Sequence, residues 1–120
     1  DLRMSRGLGD VYKRQGNYII LSGLPASQGL YGFASLFLIM NYLTDSVTML
    51  QAAAIFGLGI LVGLVNFFSS YRQGQLCANG IAAVGNGHDV GTKTLILAAF
   101  PELYGILTVA ITFLVTGLMK

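Results

Sequence analysis

Three apolar runs dominate the chain: Gly16–Tyr42, Ser46–Tyr71 and Thr92–Met119. Each exceeds the ~20 residues needed to cross about 30 Å of hydrocarbon. Backbone polar groups in lipid must be satisfied within the segment, so runs this apolar are expected to be helices. The pattern predicts helices over about 17–42, 47–85 and 91–119. Two polar connections, "NYLTDSVT" (Asn41–Thr48) and "VGNGHDVGT" (Val84–Thr92), carry the Gly, Asn, Asp and Thr of turns. The second is expected to reverse the chain at Gly87–His88.

Composition agrees with this pattern. The chain is 54% hydrophobic and 10% charged, against about 25% charged in soluble domains. The expected fold class is all-α, a set of multi-pass transmembrane helical hairpins. A single cysteine, Cys77, excludes an internal disulfide framework and is read as a small packing residue. Residues 1–15, "DLRMSRGLGDVYKRQ", break the pattern, with Arg3, Arg6, Lys13 and Arg14 beside Asp1 and Asp10. They are too polar for a signal peptide and read as a non-native, adapter-like leader before a membrane domain over 16–120. Beyond them Arg72, Lys93 and Lys120 balance Asp45, Asp89 and Glu102. The basic balance is therefore a leader effect and implies no nucleic-acid partner. Arg72 and Lys93 sit on the side of the second connection and Asp45 on the other, so the positive-inside rule places residues 84–92 in the cytoplasm. Stripes of small residues, Gly57, Gly59 and Gly63 and then Ser70, Gly74 and Ala78, suit close helix packing in lipid and a chain with many neighbours.

Against this background a few polar residues stand out. Leu24, Ser27, Gln28 and Tyr31 fall at i, i+3, i+4 and i+7, on one helix face. Pro25 removes a helical donor and frees the carbonyl of Leu21. A hydroxyl, an amide oxygen, a phenol and loosened carbonyls suit a hard cation such as sodium; a polar helix–helix contact is the alternative. Glu102, in "AAFPELYGIL", is the one acid deep in a span, roughly 16 Å into its helix. Intramembrane carboxylates usually mark ion or proton paths; pairing with Arg72 across a hairpin is the structural alternative. Gln73 lies as many residues before the turn at Gly87 as Glu102 lies after it, which sets the two at one depth. The same count fails at the first connection, where Gln28 is about sixteen residues away and Gln73 about twenty-eight. Either part of 45–56 runs along the surface or the second helix is long and tilted.

"LPASQGLYGF", "RQGQLCANGIAAVG" and "AAFPELYGIL" together resemble the proteolipid rotor-ring subunit (K, or c) of V-type ATPases, in its bacterial sodium-type branch. The resemblance covers residues 17–120. It implies a ring-forming protomer of four helices, of which this chain would carry three as an N-terminally truncated fragment. It also implies that Glu102 carries the ion, and that Leu24 (through its carbonyl), Ser27, Gln28 and Gln73 complete a sodium site. Tyr31 would hold the site closed by a hydrogen bond to Glu102. The chain departs from the family pattern at Pro101, usually aliphatic, and at Leu103, often threonine.

The function so implied is ion translocation in the membrane sector of a rotary ATPase. Each site would carry Na+ or H+ past a stator (a/I) subunit while other subunits hydrolyse ATP and turn the ring through a central stalk. The expected setting is a bacterial plasma membrane. The chain itself is expected to catalyse nothing and to hold no cofactor: "GNGHDVGTK" lacks P-loop spacing, and His88 within it reads as a turn residue. A proton would need Glu102 alone, whereas the oxygens of Ser27, Gln28 and Gln73 favour sodium. The alternatives are an H+-specific V-type proteolipid, a small proton-coupled multidrug transporter, or a structural proteolipid.

Overall fold

The structure, a computed structural model, describes residues 2–120, with side chains from residue 7 onward. It is all-α among these residues: α1 (Leu2–Gly23), a 3-10 turn (Leu24–Ala26), α2 (Ser27–Met40), α3 (Met49–Gly85) and α4 (Gly91–Leu118). Three segments are long and apolar enough to cross a membrane: Gly7–Met40, Met49–Gly85 and Gly91–Leu118. The first expected helix is thus α1, the turn and α2 in series, ending at Met40. The 3-10 turn sits at Pro25, where the missing N–H breaks the α ladder and Ser27 N donates to Leu24 O instead.

α1 also begins upstream of the predicted start near residue 17. No proline interrupts the leader-like stretch, and Leu, Arg, Met, Lys and Gln propagate a helix already nucleated downstream. Asp1 and the side chains of Arg3 and Arg6 lie outside the described residues. Asp10, Lys13 and Arg14 line a cleft with Asn17, Val84, Gly87, His88 and Asp89, at the α3–α4 turn.

That turn is a helix stop built on one glycine. Gly87 takes φ 93°, which only glycine adopts readily. His88 N reaches Ala83 O at 3.0 Å and Gly87 N reaches Val84 O at 3.1 Å, the Schellman pattern that satisfies the last carbonyls of a helix. His88 is exposed there. At its other end α3 opens on a capping box: Gln51 N donates to Thr48 Oγ1 at 3.2 Å, and Thr48 N to Gln51 Oε1 at 3.0 Å. Gln51 Nε2 also donates to Met119 O at 2.8 Å, so one side chain ties the start of α3 to the end of α4. Thr48→Ala is expected to speed amide exchange in the first turn of α3 about fivefold, the ~1 kcal/mol of a lost N-cap, and to leave exchange at the Gly87 turn unchanged.

The interior mixes polar with apolar residues while large apolar side chains cover the outside, unlike a water-soluble bundle. Gln28, Ser35, Asn66, Ser69, Gln73, Thr94, Thr108, Thr112 and Thr116 are buried, whereas residues such as Phe33, Phe67, Ile96 and Phe113 are exposed. Lipid accepts the latter without cost, so packing and hydrogen bonds hold the helices together. The α4 threonines avoid an unsatisfied hydroxyl by donating backward, Thr112 to Thr108 O at 2.8 Å and Thr116 to Thr112 O at 2.9 Å.

The glycines that admit close approach differ from those the sequence stripes suggest. A Cβ at Gly80 would strike Thr94 and one at Gly91 would strike Asn17. Gly57, Gly59 and Gly63 have nothing within 4 Å of that position. Those three occupy faces of α3 turned away from the rest of the chain.

Candidate ion-binding site

Glu102 is half-buried on α4, and every polar group on its carboxylate comes from another helix. Ser27 Oγ lies 2.8 Å from Oε2, Gln73 Nε2 donates to Oε2 at 2.6 Å, and Tyr31 Oη donates to Oε1. Ser27 and Tyr31 are one turn apart on α2, and Gln73 is on α3. Gln73 is fully buried and makes two further bonds: its Nε2 donates to Ala98 O at 3.0 Å, and its Oε1 accepts from Gln28 Nε2 at 2.8 Å. Leu24 enters through its backbone, with its carbonyl oxygen 2.9 Å from Ser27 Oγ. All the residues singled out by sequence (Leu24, Ser27, Gln28, Tyr31, Gln73 and Glu102) therefore meet at one place. Arg72 does not join them. It is exposed and donates to Gln75 Oε1 at 3.2 Å, so the hairpin pairing with Glu102 is not made.

Local sequence explains the assembly. The 3-10 turn at Pro25 brings Leu24 O up to the Ser27 hydroxyl, as unwound backbone does at ion sites within membranes. Tyr31 reaches α4 because residue 105 is glycine: a Cβ there would fall 2.6 Å from Tyr31 Cδ2. Leu21, Cys77 and Ala98 form an apolar cluster with Leu24 packed against it, closing the side of the site nearest the α3–α4 turn. Pro101 leaves α4 unbroken, and Leu103 is 52% exposed and turned away from the carboxylate.

Two residues, Ser69 and Asn66, escaped the sequence reading, and a third, Ser70, reads there only as a small packing residue. Ser69 is buried, accepts from Gln28 Nε2 at 3.1 Å and donates to Pro101 O at 2.5 Å. Ser70, its neighbour, donates to Pro25 O at 3.2 Å, so adjacent serines tie α3 to both proline-bearing segments. Asn66 donates to Thr108 Oγ1 at 2.9 Å. The spacing 66, 69, 73 and 77 marks one buried face of α3 and was the available signal.

The donor set has a definite chemistry. Ser27 has one hydroxyl hydrogen, yet Leu24 O, Gln28 Oε1 and Glu102 Oε2 approach its oxygen at 2.9, 3.3 and 2.8 Å. With Glu102 ionised, two of these oxygen pairs therefore stand close with no proton between them, the arrangement a small hard cation favours. Among the described residues no three His, Cys, Asp or Glu side chains converge, so one carboxylate meets neutral oxygens. A monovalent ion leaves such a set uncharged, whereas a divalent ion would strand a positive charge away from water.

A family model for the C subunit of ATP synthase matches residues 47–115, a span that holds Gln73 and Glu102 and begins after Tyr31. The chain is 36% identical over 99 residues to the V-type sodium ATPase subunit K of Enterococcus hirae, covering 82% of this chain and 64% of that protein. It is 29% identical over 119 residues to the A-type ATP synthase subunit K of Methanocaldococcus jannaschii, covering 97% of this chain and 54% of that one. The chain thus spans less than two thirds of the length of either relative. No solved structure matches it.

Proposed function

Because the chain belongs to the family of ATP synthase C subunits, we propose that it is a protomer of the ion-carrying rotor ring of a V-type ATPase, with sodium as its cargo. The observation that carries the reading is one mid-span carboxylate on α4 ringed by Ser27, Tyr31 and Gln73 from two other helices. An ionised carboxylate in mid-bilayer costs about 3 kcal/mol or more by insertion scales. A bound Na+ removes that charge and lets the site travel past lipid.

Cation binding asks little movement of these residues. Leu24 O, Ser27 Oγ, Gln28 Oε1 and Glu102 Oε2 already face one another. Gln73 is the exception: turning its amide oxygen toward the ion gives up its present bonds to Gln28 Nε2, Ala98 O and Glu102 Oε2. Tyr31 keeps its phenol on Glu102 Oε1 and closes the site. Departure of the ion requires that phenol to leave, and a cationic side chain of the stator would then take over the bare carboxylate. The E. hirae relative is a subunit of a sodium ATPase, which supports sodium over protons, as does an oxygen set larger than a proton needs.

Copies of the chain would form the ring, with the α3–α4 turn on the cytoplasmic side of a bacterial plasma membrane, meeting the central stalk. Lys93, in the first turn of α4 beside that connection, supports that orientation. ATP hydrolysis belongs to other subunits.

Carbodiimide labelling of Glu102 tests the cargo. The reagent attacks the protonated carboxyl, and bound sodium excludes that proton. Sodium at about ten times its dissociation constant is expected to slow labelling of assembled rings about tenfold. Labelling that follows pH and ignores sodium would remove the sodium reading and leave the proton one.

A further inference from the structure

Two turns along α3 from Gln73, away from the α3–α4 turn, lies an amide that the ion site does not use. Asn66 is 8% exposed. Its Nδ2 donates to Val62 O at 2.9 Å and to Thr108 Oγ1 at 2.9 Å, and Thr108 Oγ1 in turn donates to Gly105 O at 2.6 Å. Its Oδ1 is buried without a hydrogen-bond partner. Such an acceptor is costly, so its direction calls for a reason.

That oxygen and Tyr31 both border Gly105 of α4. The position a Cβ would take on Gly105 lies 3.0 Å from Asn66 Oδ1, 2.6 Å from Tyr31 Cδ2 and 3.0 Å from Tyr31 Cε2. The amide oxygen and the edge of the phenol ring thus converge on one bare patch of α4. The edge of an aromatic ring is its electropositive part, and an unpaired carbonyl oxygen is what it favours. Through Thr108 the same amide is fastened to the α4 backbone at Gly105, the surface on which the ring lies.

We infer that Asn66 is a positioning residue for Tyr31, walling the slot over Gly105 and holding the phenol on Glu102 Oε1. This rests on the reading of Glu102 as the cation carrier, and adds to it a residue that sets how long the site stays closed. Asn66 touches neither the carboxylate nor its oxygen ligands and acts only through the tyrosine.

In rings assembled in membrane vesicles, the rate of carbodiimide labelling reads how often the phenol leaves Glu102. Asn66→Leu, close in size, is expected to raise that rate about fivefold, and Tyr31→Phe to raise it at least as much. The double variant is expected to label no faster than Tyr31→Phe alone. Thr108→Val keeps its shape but removes the oxygen that anchors Asn66 Nδ2. It is expected to act in the same direction, and it carries the test if Asn66→Leu rings fail to assemble. Unchanged rates in both variants, or an Asn66 effect of full size without the phenol, overturn the assignment. Sodium slowing of wild-type labelling judges the carrier reading separately. If sodium protects while Asn66→Leu behaves as wild type, the carrier stands and the positioning role falls. If neither sodium nor pH alters labelling, the carrier falls, and comparison of Asn66→Leu with Tyr31→Phe still decides the positioning role.

Discussion

Glu102→Gln is expected to abolish ATP-driven cation uptake into inverted vesicles, by a factor of several hundred at the sodium level that half-saturates the wild type. The substitution keeps the shape of the side chain: its amide oxygen can stand in for Oε2 toward Ser27 and Gln73, and its amide nitrogen, in place of Oε1, donates to the Tyr31 hydroxyl. Assembly should therefore survive. What is lost is the charge. A unit charge 4 Å from a monovalent cation is worth about 4 kcal/mol at an effective dielectric of 20, which is nearly three decades in occupancy. Without that charge the remaining oxygens compete poorly with water for the ion. Glu102→Asp keeps the charge but draws it back by one methylene, and is expected to retain measurable uptake at raised sodium. A structural proteolipid would be indifferent to Glu102→Gln, so full uptake by that variant would sink the carrier reading.

Gln73→Leu is expected to raise the sodium concentration that half-protects Glu102 from carbodiimide about thirtyfold. Gln73 is 0% exposed and joins α2, α3 and α4 at one point through Gln28 Nε2, Ala98 O and Glu102 Oε2. A hydrogen bond to a charged group contributes about 1.5–3 kcal/mol, and leucine fills the volume while offering the ion no oxygen. Gln28→Leu should cost less. Gln28 meets the carboxylate only through Gln73 and Ser27, and its other bond is to Ser69. If Gln28→Leu weakens protection as much as Gln73→Leu, Gln73 is not the hub of the site.

Most of the candidate site was legible because its residues violate the local pattern. A carboxylate, two glutamines and a serine inside apolar runs are costly unless something satisfies them, and helical spacing says which of them share a face. The depth match of Gln73 and Glu102 could be counted from Gly87, because both helices leave one tight turn at 1.5 Å per residue. Counting failed from the first connection for a physical reason. α3 is 37 residues long and runs beside α4 to its end, where Gln51 meets Met119 O. α2 stops earlier, at Met40, with Asn41 and Tyr42 beside Phe113 and Leu114. Residues 41–48 therefore cover the remaining distance along the bundle, and the long-helix option accounts for the offset.

Taken alone, the chain's pattern determined that it is all-α, that three segments are able to span a bilayer, and that one acid lies among polar partners at matching depth. The depth match held for Gln73 alone, and all of these follow from period, length and the cost of burying charge, which are local or additive along the chain. Tertiary structure alone decided which small residues let helices touch, that Arg72 turns outward to Gln75, that Ser69 and Ser70 bind the two proline segments, and that Asn66 and the ring of Tyr31 meet over Gly105. Each of these depends on how one helix is rotated and offset against another. That choice is made by contacts between side chains far apart in sequence, which no single run of residues encodes.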